Sequence, residues 1–301
     1  MSAHTPPWHP TPTPARRGPD GSAFLSLALA VPGLLCGLLA MALVGEVVVP
    51  AAPWLVPALW LVSGAVMFAR PTELLVAKLV LDVRRPTPAE LHKLAPAWAS
   101  ACGVAGVDAG HYLLYVEDSD QPSAFAAGGR IVTVTRAALH LPPPQLEAVL
   151  AHELAHHLSA HTTVAALTWW YSLPARGVAF VLRLTVRFVL AIGRAMADFG
   201  SALSALASVL LGLLLLTGLA LISVWLLLVP LVSPLLAWAS RLGELRADRT
   251  AQQLGYGPAL VEVLRYWTAL EGPQPRPRPW HRLTATHPPH ADRIRRLQAG
   301  K

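Results

Sequence analysis

Two uncharged apolar stretches, residues 23–44 and 47–69, dominate the first quarter of the chain, with only Gly45 and Glu46 between them. About 20 apolar residues, each rising about 1.5 Å, cross a hydrocarbon core of about 30 Å, so the pattern predicts two membrane-spanning helices joined by a tight turn. Ahead of them, residues 1–22 carry Pro6, Pro7, Pro10, Pro12, Pro14 and Pro19 without apolar periodicity and read as a disordered tail. A secretory signal peptide fits poorly, because the first stretch is long, lacks a small-residue cleavage site and runs into a second apolar segment.

From residue 70 to 161 the pattern is mixed. A helix is predicted over 72–83, then a break at Pro86 and Pro88, then a second helix to about Ala101. Residues 112–116 and 130–135 are short β-rich runs bounded by Asp108, Gly110, Gly128 and Gly129, which predict a small sheet. Pro142, Pro143 and Pro144 then precede a strong helical pattern beginning near Gln145. Residues 162–240 are apolar again and predict a transmembrane or interfacial insertion, with a third span within 163–192, a fourth within 206–229, and breaks at Pro230 and Pro234. Within it, Arg176, Arg183, Arg187 and Arg194 are spaced by 7, 4 and 7. At about 100° per residue they fall in one narrow stripe, and a basic stripe on an apolar helix is usually interfacial. Residues 241–301 return to charged helical character, with a Pro-Arg loop over 273–279 and a short helix from about His290.

Composition sharpens this picture. Of 301 residues, 54% are hydrophobic and 14% charged, against roughly 25% charged in a soluble domain. With a mean hydropathy of +0.47, a purely soluble globule and a wholly disordered chain are both excluded. The net charge of +7 does not form a basic run interleaved with aromatics, so no nucleic-acid partner is expected. Instead Arg16 and Arg17 precede the first span and Arg70, Lys78, Arg84 and Arg85 follow the second, with none in the turn. The positive-inside rule then predicts a cytoplasmic N-terminus and a cytoplasmic region after residue 70. Cys36 and Cys102 make neither a disulfide framework nor a cysteine metal cluster.

The chemistry sits in the helix after Pro144, where His152-Glu153-Leu154-Ala155-His156 forms an H-E-x-x-H motif. Residues four apart share a helix face, so both imidazoles can reach one metal ion, with Glu153 as general base for a water: the pattern of a zinc metallopeptidase. A catalytic zinc takes three protein ligands and keeps one position open. A third histidine six residues after His156 is absent, since that position is Thr162, and His157 and His161 read as helix-surface residues. The best remaining ligand is Glu244, in Gly243-Glu244-Leu245-Arg246-Ala247-Asp248, with Asp248 one turn on to orient a ligand imidazole. Taken alone that pair also fits a solvated helix face.

In order along the chain, these features resemble the HtpX-type membrane zinc metallopeptidases, relatives of the CAAX prenyl endopeptidases. The matching residues are the paired apolar stretches, Ala124-Phe125-Ala126 before a Gly-rich strand over 128–135, the H-E-x-x-H helix, the later apolar segments, Glu244 to Asp248, and Thr286-His287-Pro288-Pro289 followed by Arg293-Ile294. The resemblance implies an α+β, mainly α, multi-pass membrane protein whose small-sheet, zincin-like catalytic domain is interrupted by a transmembrane insertion. It implies Zn2+ held by His152, His156 and Glu244, catalysis by Glu153 with His287 stabilising the tetrahedral intermediate, and the strand over 130–135 as an edge pairing with an extended substrate; read alone, His287 fits a turn residue before Pro288 equally well. Membrane or misfolded protein substrates, a bilayer partner and a site on the cytoplasmic face of the cell membrane follow from the same likeness. Ser123 stands where family members usually carry Asn before the Ala-Phe pair. A sensor-transducer protease of BlaR type would call for a ligand-binding domain beyond the last span, and a non-catalytic scaffold would not need an intact Glu153.

Overall fold

The computed structural model describes residues 18, 21–198, 202–272 and 283–300, so the Pro-Arg loop over 273–279 and the predicted tail, apart from residues 18, 21 and 22, lie outside the described residues. Among the described residues the chain is mainly helical with one small sheet, and these residues divide into two compact units, one drawn from 1–28, 65–167 and 236–301 and the other from 29–64 and 168–235.

In the first unit, α3 (Arg70–Leu79) leads into α4 (Pro88–Ala105). Helix α4 starts with a reciprocal capping box between Thr87 and Glu90 and stops at Gly106, whose φ of 67° suits a residue without a side chain. Three strands follow, β1 (Leu113–Glu117), β2 (Ala124–Ala127) and β3 (Ile131–Thr135), ordered β1-β3-β2. Strand β3 pairs parallel with β1, Leu113 opposite Ile131, and antiparallel with β2, Ala124 opposite Val134. The β2–β3 turn is fastened to α3: buried Glu73 accepts from the Gly129 amide at 3.2 Å and from the Arg130 guanidinium at 2.9 Å. Helix α5 (Pro143–Leu158) packs on α4, on β2 and on α8 (Gly257–Glu271). Their core includes Leu94, Trp98, Val132, Val134, Leu150, Leu154, Leu260 and Leu264. The short α9 (His290–Gln298) lies against α8.

This topology corrects one expectation. The strand predicted as the substrate-pairing edge, β3, is central, and all five of its residues are buried. Its Ile-Val-Thr-Val-Thr run is the near-continuous β-branched sequence of a strand covered on both faces. The edge is β2, whose Ala-Phe-Ala-Ala sequence carries no β-branched signal.

The second unit is helical. Helix α1 (Gly21–Val48) runs through Gly45 and Glu46 instead of turning there, and the turn falls over residues 49–54, at Pro50 and Pro53, before α2 (Leu55–Val66). Proline lacks the amide that would continue the helix, whereas Gly45 stays helical and lets the Pro53 carbonyl approach. Among the described residues, one helix, Ala23–Val48, with a mean hydropathy of 2.5, is long and apolar enough to cross a membrane; Leu55–Val66 and Arg70–Leu79 qualify only together, across an 88° bend. Helix α6 (His161–Asp198) occupies the region of the predicted third span. Helix α7 (Ala202–Gln253) runs unbroken past positions 230 and 234, where the sequence predicts breaks. The fourth predicted span, residues 206–229, falls on α7, and from residue 214 its side chains lie outside the described ones. Within this unit Trp60 and Trp170 stack at 4.8 Å. The Trp170 indole donates to Ser63 Oγ at 3.0 Å and the Tyr171 hydroxyl to the Leu61 carbonyl at 2.6 Å.

Candidate metal centre and active site

Helix α5 buries every residue from Ala148 to His156. The 3.6-residue period puts His152 and His156 on one face with their rings edge-to-face, centroids 4.9 Å apart. Helix α7 brings Glu244 to meet them: its Oε2 lies 3.5 Å from His152 Nε2 and its Oε1 3.4 Å from His156 Nε2. These separations are long for hydrogen bonds. They are near the spacing of about 3.3–3.4 Å between donor atoms around an ion with bonds of about 2.0–2.1 Å, reached here by a different Glu244 oxygen at each imidazole. One ligand atom from each of the three residues lies within 4.8 Å of the others, and all three residues are buried.

Charge points the same way. Glu244 and Asp248, each under a tenth exposed, face one buried guanidinium, Arg293. Two acids against one base leave negative charge in a largely buried site, and a bound cation would neutralise it. Without a metal, burial works against a charged His152, yet Asp248 and Glu244 outweigh it and lift the imidazole to about 10. Burial likewise opposes ionised Glu244, but His152, His156 and His287 hold it well below the ordinary carboxylate range.

Asp248, expected from the sequence to orient a ligand imidazole, lies beside His152: its Oδ1 is 3.0 Å from Nδ1, which leaves Nε2 turned to Glu244. Asp248 is itself clamped by Arg293, with Nε to Oδ2 at 2.8 Å and Nη2 to Oδ1 at 2.6 Å. The sequence marks Arg293 only as part of a motif and assigns it no role. Its signal is the α9 register, which buries Arg293 with Leu297 one turn later while Arg295 and Arg296 face solvent. His287 also arrives, its Nδ1 3.4 Å from Glu244 Oε1 and its side chain 72% exposed at the site's mouth. His157, predicted at the helix surface, instead wedges between α5 and β3, with Nε2 3.0 Å from the Ile131 carbonyl and Nδ1 3.2 Å from Thr162 Oγ1. His161 lines the cavity with its ring 5.8 Å from that of His156.

Glu153 and the three metal-site residues open into a cavity of about 1020 Å³. One wall is the β2 edge, Ser123 to Ala126, and another is Trp267 and Leu270 of α8. Burial pushes the Glu153 carboxyl up from its ordinary range, as suits a group that must both take and give a proton. Ser123 is fixed to β3 through its backbone, its amide donating to Thr135 Oγ1 at 2.9 Å and its carbonyl accepting the Thr135 amide at 2.9 Å.

Two helices bring an H-E-x-x-H pair and a glutamate together beside a cleft with a strand edge, a group that could hold a metal ion in the manner of a metallopeptidase. Residues 87–301 match the model of Peptidase family M48, and the chain belongs to that metallopeptidase family. No curated protein matches it.

Proposed function

We infer that this chain is an HtpX-type zinc metalloendopeptidase anchored in the cell membrane, hydrolysing peptide bonds of membrane or misfolded proteins at the cytoplasmic face. The observation that carries the reading is the buried His152–His156–Glu244 triangle with Glu153 beside it. His152, His156 and Glu244 would hold the ion, and zinc in such a site polarises the scissile carbonyl and makes water nucleophilic near neutral pH. Glu153 takes the proton from the attacking water and returns it to the leaving amine. His287, exposed at the mouth beside Glu244, donates to the carbonyl oxygen as its charge develops. An extended substrate adds antiparallel to β2, which spends one side of its ladder on β3 and lines the cavity. The apolar Ala23–Val48 helix supports membrane anchoring, and a cytoplasmic site follows when the second apolar stretch crosses back, with Arg16 and Arg17 ahead of the first crossing and Arg70, Lys78, Arg84 and Arg85 after the second.

The test compares purified wild type with Glu153→Gln in detergent, by metal analysis and casein cleavage. Metal content should stay equal while cleavage falls by about 10²–10⁴. Wild-type turnover in the variant would refute the assignment.

A further inference from the structure

The arginine stripe of α6 is not used by the active site. Arg176, Arg183, Arg187 and Arg194 are all exposed, and before Asp198 the helix carries no acidic residue. At about 100° per residue the four guanidinium stems fall within about 40° of one another. Directly beside them lies an exposed apolar sector containing Phe180, Leu184 and Phe188, at 64%, 58% and 65% exposure. The opposite side faces protein: Leu182, Val186 and Val189 are half-buried, and the Gly193 carbonyl accepts from Ser208 Oγ of α7 at 3.2 Å.

We propose that residues 176–194 of α6 lie flat at the membrane surface, with Phe180, Leu184 and Phe188 dipped into the acyl boundary and the four arginines gripping phosphates of an anionic phospholipid leaflet. Length decides against an upright helix. Arg176 to Arg194 spans about 27 Å at 1.5 Å per residue, nearly the whole hydrocarbon thickness of about 30 Å, so an upright α6 would strand Arg183 and Arg187 near its middle. Among the described residues no bundle interior receives them, because the stripe adjoins exposed apolar side chains. Lying flat, the helix points protein upward, apolar rings downward and cations sideways, where long stems snorkel to the headgroups. Charge complementarity makes the occupant an anionic leaflet, since neutral headgroups offer no net attraction to four aligned cations. The inference rests on the chain being membrane-anchored but not on its being a peptidase.

The test uses the full chain in vesicles of phosphatidylcholine with or without phosphatidylglycerol. In a Cys36→Ala, Cys102→Ala background, single nitroxide labels are placed by Phe180→Cys, Leu184→Cys and Ala191→Cys, and their depths are read from relaxation by oxygen and by a polar nickel complex. Equal, shallow depths are expected at all three. A depth that changes steadily along the helix, or labels shut off from lipid, would overturn the proposal. Boundary-lipid selectivity supplies a second readout: a several-fold preference for phosphatidylglycerol should fall to near unity when all four arginines are changed to Gln or salt is raised, and should survive their change to Lys. Unchanged selectivity in the Gln variant would equally overturn it. Neither readout involves cleavage, so failure here and failure of the peptidase reading are separable.

Discussion

In the unit that holds the metal-site residues, Glu153, Glu244, Asp248 and Arg293 are each under a tenth exposed, and the latter three and His152 make direct polar contacts. In the helical unit, contacts come instead from the Trp60–Trp170 stack, from hydroxyls on carbonyls, and from glycines that let backbones and rings approach. The difference teaches what each interior is for. Buried charge is costly unless it is matched, so the first unit holds its polar groups by mutual contacts. The second has little polar material to match and presents Leu35, Leu39, Leu43, Leu59 and Val62 outward, a surface suited to lipid.

The sharpest way to break this contrast is Arg293→Gln. It leaves buried Asp248 without its bidentate partner and unfixes the His152 ring. Stability should fall by about 3–5 kcal/mol and metal affinity by about 10–100-fold, read by thermal melting and competitive zinc titration. Adding Asp248→Asn should recover much of the stability, because removing both partners costs far less than stranding one. If Arg293→Gln binds zinc as tightly as wild type, the clamp does not position the ligand.

The helical unit offers a smaller lesion. A methyl group added at Gly45 would stand 2.2 Å from the Pro53 carbonyl oxygen, a backbone atom that cannot rotate away. Gly45→Ala should destabilise the chain by about 1–3 kcal/mol through overpacking. Metal content per folded molecule should be unchanged, since every ligand residue lies in the other unit. A melting temperature equal to wild type would mean the turn relaxes freely.

Much of the site is readable from one sequence because its chemistry is periodic: His152 and His156, and then Glu244 and Asp248, each repeat at four residues on helices whose apolar pattern is clear. Arg293 is not readable in the same way. Three arginines crowd α9, and only packing of Leu297 decides which one turns inward. Strand β2 escapes the sequence pattern because alanine carries no β preference and the segment forms a strand by pairing with β3. The order of the sheet, which makes β3 central, depends on non-local pairing that no local pattern encodes. The α1–α2 turn falls later than the pattern predicts because the two prolines beyond Gly45 stop the helix and the glycine does not.

The mildest effect is expected at the rim of the first unit, where an ion pair faces water. Arg84 reaches Glu90 with Nη1 to Oε2 at 2.7 Å and Nη2 to Oε1 at 2.8 Å, and also grips Asp118 at 2.8 Å. The Arg84 bonds draw the Glu90 carboxyl down from 4.5 to about 2. A carboxyl with a depressed folded value binds its proton more readily when unfolded, so its stabilisation is full above about 4.5 and fades as pH falls towards about 2. Glu90→Gln removes that dependence. In chelator-treated protein, where metal release cannot contribute, the variant should melt slightly below wild type at neutral pH and lose the difference progressively through this window. With the Arg84 side chain 36% exposed, water screens the pair and the effect stays small. A large gap at neutral pH would mean that the rim stabilises this unit as strongly as the buried clamp, and the contrast between buried and exposed charge would fail there.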